Sequence, residues 1–414
     1  MKLNKTQYSQ YAGILILYIK LFFTEPILEI QSVNITITHI LLLILLLRLI
    51  FKLTFLNINV FGENKSARFF WGFVLVSSLS SFFLSPEIST GVLAVNFQLF
   101  LIYLIFIDFK NITIDVVGLQ NVINKLVNFA IINAFLVMYT YFFGKIGLSG
   151  EVTENAIGIT RAFGLMGDQV AWFLTFFGVF SLYNGKKYHY IIFATAILMG
   201  ASLGATIVLL ISTLIYFLDE KVFKLSFYIK TGFLFLIFIL LLNSNFLAFD
   251  KIGILQRINE GDFSSTNSQT TGHRYNAIIN AIDRIEEKPL WGYQNYSLTM
   301  FNKYNNLLSD SQKGDLTYLT TPNNQILAII CDYGFIGLLF FIVFIYSLIK
   351  IVRKKGKSIP PKLYAFKQSA FIWLVVFIIF NQSATWFLPG SFLWILICII
   401  MGISYKINRL YGIK

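Results

Sequence analysis

Long apolar runs alternate with short polar segments along most of this chain. Runs of nearly twenty residues have the length of a helix that crosses a bilayer core of roughly 30 Å. The short alternating segments of a transmembrane β-barrel do not occur in the sequence. The pattern predicts an all-α polytopic integral membrane protein with about 12 transmembrane helices, at 8–24, 36–56, 67–85, 90–108, 126–145, 167–184, 188–202, 205–218, 229–248, 325–349, 366–381 and 390–406.

One long polar stretch interrupts this series. It divides the chain into three parts: 1–248 with transmembrane helices 1–9 and short loops, 249–323 as one large loop, and 324–414 with transmembrane helices 10–12 and the C-terminal tail. The loop carries seven basic and eight acidic residues between Asp250 and Pro322, so its charges nearly cancel. Any anion binding in the loop must therefore come from individually placed arginines.

An amphipathic helix is predicted inside the large loop, over Arg274–Ile285. Its apolar residues recur at helical spacing and share one face: Tyr275, Ile278, Ile279, Ile282 and Ile285. Thr271-Gly272 suits the start of this helix and Pro289 its end. Arg274 would then lie in the N-terminal turn, where free amides and the helix dipole favour an anion.

Composition and charge agree with a membrane location. The chain is 57% hydrophobic and 13% charged, whereas soluble domains average about a quarter charged. The net charge of +13 is concentrated in segments such as 353–357, with four basic residues, whereas the short loops on the other side carry only Lys145 and Arg161. Positive residues mark the cytoplasmic side. Both termini are therefore predicted in the cytoplasm and the large loop outside, with membrane lipids as partners of the basic segments and no nucleic acid.

Two outward arginines are the first candidates for chemistry. Arg274 and Arg161 suit bidentate recognition of a phosphate or diphosphate, although an arginine at a membrane surface also pairs with lipid phosphate or a loop acid. His273 adjoins Arg274, and the neighbouring cation would keep its imidazole neutral and able to accept a proton.

The start of the tenth predicted span holds further polar residues. Asn323 or Asn324 would cap that helix. Asp332 lies about two turns farther on, as a functional group or a satisfied structural carboxylate.

Several other classes of site have no signature in the sequence. It contains no nucleotide-binding glycine loop, no metal-ligand cluster and no nucleophile elbow, and both cysteines lie in apolar stretches. Neither a metal nor a cofactor is predicted, so a reaction here requires a substrate that is already activated.

Three stretches resemble the O-antigen ligase and polymerase superfamily, whose members have many spans and one large outward loop. Arg161-Ala162-Phe163-Gly164-Leu165-Met166-Gly167-Asp168 is similar to an arginine-glycine loop before a span. Gly272-His273-Arg274-Tyr275, followed by Pro289-Leu290-Trp291-Gly292-Tyr293, resembles the signature of the large loop. Pro322-Asn323-Asn324-Gln325-Ile326-Leu327, with Asp332-Tyr333-Gly334-Phe335-Ile336-Gly337, resembles the entry into the next span.

The chain departs from the family pattern at three positions. Asn323 stands where ligases have a histidine, which favours the polymerase branch. The segment Ser202-Leu203-Gly204 lacks the arginine expected between the seventh and eighth spans, and Gln294 replaces a second glycine.

The resemblance implies a glycosyltransferase of the bacterial inner membrane, with its active site facing the periplasm. As an O-antigen or capsule polymerase, it would transfer the growing glycan from undecaprenyl diphosphate to an incoming undecaprenyl-diphosphate-linked repeat unit. A regulator of chain length would be a further partner. Arg274 and Arg161 would stabilise the departing diphosphate, and His273 or Asp168 would accept the proton of the acceptor hydroxyl. Substrate binding would fall to Asn323, Asn324, Gly292 and Tyr293.

Two other functions stay open. An O-antigen ligase would transfer the finished glycan to lipid A core. A flippase of lipid-linked oligosaccharides also suits twelve spans, but it should line a mid-membrane cavity with charge and would not need a large outward loop. The arginines at the outer face favour the enzyme.

Overall fold

Helices make up nearly all of the described chain. The computed structural model describes residues 11–22, 28–30, 33–56, 72, 74–76, 86–111, 113–144, 152–154, 160–162, 164–200, 202–221, 269–293, 324–353, 359–380 and 391–412. Within them lie α1 (Ala12–Phe22), α2 (Ile37–Leu56), α3 (Pro86–Asn111), α4 (Val116–Phe143), α5 (Val170–Tyr183), α6 (Lys187–Met199), α7 (Leu203–Lys221), α8 (Gln269–Glu287), α9 (Gln325–Arg353), α10 (Pro361–Phe380) and α11 (Phe392–Leu410).

Two short antiparallel hairpins accompany the helices. Strand β1 (Leu28–Ile30) pairs with β2 (Val33–Ile35), and β3 (Val152–Glu154) pairs with β4 (Thr160–Ala162). The sequence pattern did not predict these strands, because three residues are too few for a visible alternation.

Four described helices are long and apolar enough to cross a membrane: Val116–Phe143, Gln325–Arg353, Pro361–Ile379 and Phe392–Leu410. Shorter apolar helices lie at Ala12–Phe22, Ile37–Phe51, Val170–Tyr183 and Gly204–Leu218. The prediction of a helical protein with several helices long and apolar enough to span a membrane is confirmed. The count of twelve spans and their orientation stay predictions, since 67–85 and 229–248 lie wholly or largely outside the described residues.

The described residues divide into two compact units. The first comprises Met1–Ile123, Gly272–Ile359 and Asn381–Lys414. At its centre α11 packs against α3, and a Cβ on Gly402 would lie 2.5 Å from Cβ of Phe109. The missing side chain therefore permits this close approach of two helices, as small residues do in membrane proteins.

Polar contacts tie the other helices of the first unit to this centre. The hydroxyl of Tyr333 on α9 donates to Oδ1 of Asn96 on α3 at 2.5 Å. Nδ2 of Asn408 donates to the carbonyl of Ile351 at 2.9 Å. Arg48 lies 3.6 Å from the carboxylate of the buried Asp108. These contacts satisfy polar groups that would be costly to leave unpaired in an apolar environment.

The second unit comprises Asn124–Thr271 and Pro360–Phe380. Its core is aromatic: Phe176 makes edge-to-face contacts with Trp373 on α10, with ring centroids 5.5 Å apart. The indole Nε1 of Trp373 donates to Oγ1 of Thr175 at 2.7 Å, so the buried indole is satisfied. Helix α6 ends at Met199 and α7 begins at Leu203, close to the predicted boundary between the spans 188–202 and 205–218.

Candidate functional site

Helix α9, the tenth predicted span, is broken at Gly334. The backbone of Gly334 has φ 65° and ψ −170°, a conformation that is essentially restricted to glycine. The sequence predicted a span over 325–349, which the long apolar helix Gln325–Arg353 supports, but it did not predict this break. Periodicity did not reveal the break because an apolar helix tolerates an isolated glycine.

The turn that follows α8 fills this break. The amide of Phe335 donates to the carbonyl of Pro289 at 2.8 Å, and the amide of Ile336 donates to Leu290 at 3.4 Å. In the reverse direction, the amide of Tyr293 donates to the carbonyl of Cys331 at 2.7 Å. A broken helix frees backbone groups, and the turn satisfies the amides of Phe335 and Ile336 and the carbonyl of Cys331. Two motifs noted separately in the sequence therefore form one backbone-bonded junction.

Glycine is required on both sides of this junction. A Cβ on Gly334 would lie 2.1 Å from the carbonyl oxygen of Leu290, and one on Gly292 would lie 2.6 Å from the carbonyl oxygen of Cys331. Gly292 also has a positive φ of 64°. The predicted site residue Gly292 thus has a role in backbone packing, and its assignment to substrate binding stays a prediction.

A small apolar cluster holds α8 beside the junction. Ala281 and Cys331 are buried against each other, with Ile285, Tyr293 and Leu327 packed around them. The thiol of Cys331 lies 3.7 Å from the carbonyl oxygen of Ala281. The fully buried residues of α8 are Ala277 and Ala281, whereas Ile279 and Ile282 of the predicted apolar face are exposed.

Tyr293 is anchored by charged neighbours. Its hydroxyl donates to the carboxylate of Glu287, which also pairs with Arg284. The ammonium of Lys288 lies 4.7 Å from the centre of the Tyr293 ring. Partial burial, followed by the hydrogen bond and negative charge of Glu287, raises the pKa of Tyr293 to about 12. The phenol is therefore protonated at neutral pH, and its hydroxyl is already engaged within the loop.

The start of α8 differs from the predicted one. The helix begins at Gln269, so His273 and Arg274 are its fifth and sixth residues. Only the first four amides of a helix lack an intrahelical partner, so the expectation that Arg274 lies at the free N-terminal amides is wrong. Thr271 and Gly272 gave a weak local signal for a helix start, which the longer helix overrides.

Asn324 caps α9, as one of the sequence interpretations predicted. Its Oδ1 accepts from the amides of Ile326 at 3.0 Å and Leu327 at 3.1 Å. This is the geometry of an N-cap residue that satisfies the second and third helical amides. Asn323 lies outside the described residues. Substrate binding by either asparagine stays a prediction.

Arg161 and Asp168 belong to the second unit. Arg161 lies in β4, opposite Thr153. Asp168 lies in the 3₁₀ turn Gly167–Gln169, which leads directly into α5. Between them Gly164, with φ 55°, donates its amide to Oγ1 of Thr140 at 3.3 Å. This bond fixes the backbone of the arginine-glycine loop to the end of α4.

Asp332, which the sequence offered as a functional group or a structural carboxylate, lies next to the junction. It is half-buried, two residues before the break, and its neighbour Tyr333 is fixed to Asn96. A Cβ on Gly292 would lie 2.7 Å from its backbone carbon, so Asp332 is part of the junction. The signal was present as an acid within an apolar run. Within the described part of the chain, no three His, Cys, Asp or Glu residues are grouped as metal ligands.

Residues 189–342 match the family model Wzy_C, which describes O-antigen ligases. The match covers less than half of the chain and supports its resemblance to the ligase and polymerase superfamily. It includes α8, the turn at Gly292 and the break at Gly334, whereas Arg161 and Asp168 precede it. No curated protein matches the chain. The choice between polymerase and ligase stays a prediction.

Proposed function

We propose that this protein is a bacterial membrane glycosyltransferase that polymerises lipid-linked glycan repeat units at the outer face of the inner membrane. The observation that carries the proposal is the junction between the turn at Gly292 and the broken helix at Gly334. It lies within the stretch that matches the O-antigen ligase family. Non-helical backbone at membrane depth is tolerated where it is packed on protein or lines a wet cavity, which is where a polar headgroup would be handled.

The junction also bears on how negative charge would be stabilised. The first two amides of the helical segment after Gly334, those of Phe335 and Ile336, donate to carbonyls of the turn. They are thus unavailable to an anion. In the proposed mechanism, the side chains of Arg274 and Arg161 neutralise the diphosphate.

The reaction follows from an already activated donor. The acceptor hydroxyl oxygen attacks the anomeric carbon of the donor glycan and forms the new glycosidic bond. The bond between that carbon and the diphosphate oxygen breaks, and the undecaprenyl diphosphate leaves with the electron pair. His273 or Asp168 accepts the hydroxyl proton. Positioning two lipid-linked substrates in one membrane plane and stabilising the developing charge lower the barrier.

A ligase is the second candidate, because the matching model describes O-antigen ligases. Asn323 favours the polymerase, since it replaces the histidine that ligases have at this position. The two enzymes share a donor but differ in acceptor, so the acceptor decides between them.

The test supplies the purified protein with lipid-linked repeat units extracted from its source cells after deletion of its gene. A polymerase produces a ladder of longer lipid-linked glycans without lipid A core. A ligase transfers glycan only when lipid A core is added. If neither product forms in vesicles that retain folded protein, both enzymatic proposals are contradicted and a transport assay becomes the next test.

The role of Arg274 is tested by two substitutions. Arg274→Ala should reduce elongation by at least about 10²-fold, the scale of losing one group that stabilises transition-state charge. Arg274→Lys keeps the charge but loses the bidentate geometry, and we expect an intermediate rate. Asp283→Asn, on the exposed side of the same helix, is the matched control. Normal elongation by Arg274→Ala would contradict the assignment.

A further inference from the structure

The turn that fills the break presents two large apolar side chains to the outside. Leu290 is 59% exposed and Trp291 is 54% exposed, although their backbones are held in the junction. Clustered exposed apolar residues of this size mark an interaction surface more often than a surface facing water.

A stripe of exposed apolar residues on α9 continues from this turn. Phe335, Leu339, Ile342 and Tyr346 follow at spacings of four, three and four residues, which place them on one side of a helix, and all four are exposed. Phe335 stands at the top of this stripe, and its amide is bonded to Pro289, the residue before Leu290. Because α9 is long and apolar enough to span a membrane, its exposed stripe is the side available to lipid.

The depth of the turn in the membrane follows from its distance to the basic C-terminal end of α9. Lys350 lies in the last turn of this helix. Sixteen residues separate it from Gly334, or about 24 Å at 1.5 Å per residue. With a hydrocarbon core of roughly 30 Å, the break lies near the opposite boundary between hydrocarbon and headgroups. Tryptophan is enriched at this boundary.

We infer that Leu290 and Trp291 form a docking surface for the bilayer itself, inserting into the leaflet at the boundary between hydrocarbon and headgroups. This surface continues the lipid-facing stripe of α9. The acidic residues Asp283 and Glu286 are exposed on α8 and remain in water. The large loop is thereby attached to the membrane at the level where the charged headgroup of a lipid-linked substrate lies. That last consequence rests on the proposed function, whereas the docking does not.

The test measures depth with nitroxide labels on the full chain in vesicles of phosphatidylethanolamine and phosphatidylglycerol. Single variants Leu290→Cys and Trp291→Cys are compared with Asp283→Cys as the water-facing control and Leu339→Cys as the deeper reference. The two native cysteines are buried, and the unsubstituted protein gives the labelling baseline. We expect labels at 290 and 291 to relax strongly with oxygen and weakly with a water-soluble nickel chelate, with Asp283→Cys showing the reverse.

Two results would overturn the inference. Nickel relaxation at 290 equal to that at 283 would show that the turn faces water. Weak relaxation by both reagents would show that protein, from this chain or a second copy, covers the turn.

Brominated lipids give an independent measurement on the native turn. The emission of Trp291 is the difference between the unsubstituted protein and Trp291→Phe. Bromines near the headgroups should quench this emission more than bromines deep in the acyl chains. Unquenched Trp291 emission would contradict docking. These measurements do not depend on activity, so their failure is distinguishable from failure of the proposed function.

Discussion

The backbones of Gly292 and Gly334 lie against each other, so that a Cβ on Gly292 would lie 2.7 Å from the amide nitrogen of Gly334. The two residues are separated by a long stretch of sequence, and both have positive φ, 64° at Gly292 and 65° at Gly334. This contact joins the turn after α8 to α9, a helix long and apolar enough to span a membrane.

The first prediction concerns substitution of Gly334. Gly334→Ala places a methyl group against backbone atoms of Leu290 and Trp291 that cannot rotate away. Together with the strained backbone, this should cost more than about 3 kcal/mol at the junction. In a Cys398→Ala background, Cys331 is the only thiol and is buried, so its rate of maleimide labelling reports opening of the junction. We expect much faster labelling and loss of activity.

Gly185→Ala provides the matched control. Gly185 also has a positive φ, of 69°, but a Cβ there would meet nothing within 4 Å. Its substitution should cost only the backbone term of about 1–2 kcal/mol and leave Cys331 protected. Equal labelling of Cys331 in the two variants would show that the junction is not the source of the effect.

The second prediction concerns the titration of Tyr293. Because its pKa is raised to about 12, the protonated phenol is favoured in the folded loop. The contribution of Tyr293 to the free energy of unfolding is fully present below the usual tyrosine pKa of about 10. It is lost as the pH rises from there to about 12. Tyrosine ¹³Cζ resonances measure this titration, with the Tyr293 signal identified by its absence in Tyr293→Phe. Glu287→Gln should lower the midpoint, although burial keeps it above the usual value. An unchanged midpoint in Glu287→Gln would contradict the role of Glu287.

The third prediction compares two threonine-to-aromatic hydrogen bonds in the second unit. Thr175→Val removes the acceptor of the buried Trp373 indole, which should cost about 1–3 kcal/mol because the donor is left unpaired. Thr213→Val removes a similar bond to Tyr190, at 3.1 Å, but that site is only partly buried. We expect a smaller loss there. Unfolding in mixed detergent micelles with increasing sodium dodecyl sulfate measures both, and equal losses would show that burial does not set the cost.

Local signals explain what could be predicted from the sequence. Apolar runs of membrane-spanning length identified α4, α9, α10 and α11, and the predicted boundary between the spans 188–202 and 205–218 lies close to the one between α6 and α7. The amphipathic helix α8 was also predicted, although its start was placed five residues too late. Helix periodicity is read over neighbouring residues, so these features are accessible without tertiary information.

The junction was not accessible in the same way. Gly334 leaves the helical conformation because a turn distant in sequence donates and accepts its hydrogen bonds, and no pattern around Gly334 contains that partner. The backbone of Trp291 also lies against Gly334, so residues near Trp291 in the sequence did not reveal its exposed position. The resemblance to a known family includes both the motif at Gly292 and the motif at Gly334, but it did not predict that the two form hydrogen bonds with each other.

The last prediction separates two roles of Asn324. As the N-cap of α9, its Oδ1 accepts from the amides of Ile326 and Leu327, so Asn324→Ala should cost about 1 kcal/mol of stability. Asn324→Asp and Asn324→Ser retain a capping oxygen and should preserve that stability. If Asn324 only caps the helix, both should also elongate glycan normally. If its side-chain NH₂ donates to substrate, both should lose elongation while the free energy of unfolding is unchanged, because neither replacement carries an amide donor. Parallel measurement of unfolding and elongation in the three variants distinguishes these results. We expect the second outcome, since the resemblance assigns this position to substrate binding, and normal elongation by Asn324→Asp would leave Asn324 with the capping role alone.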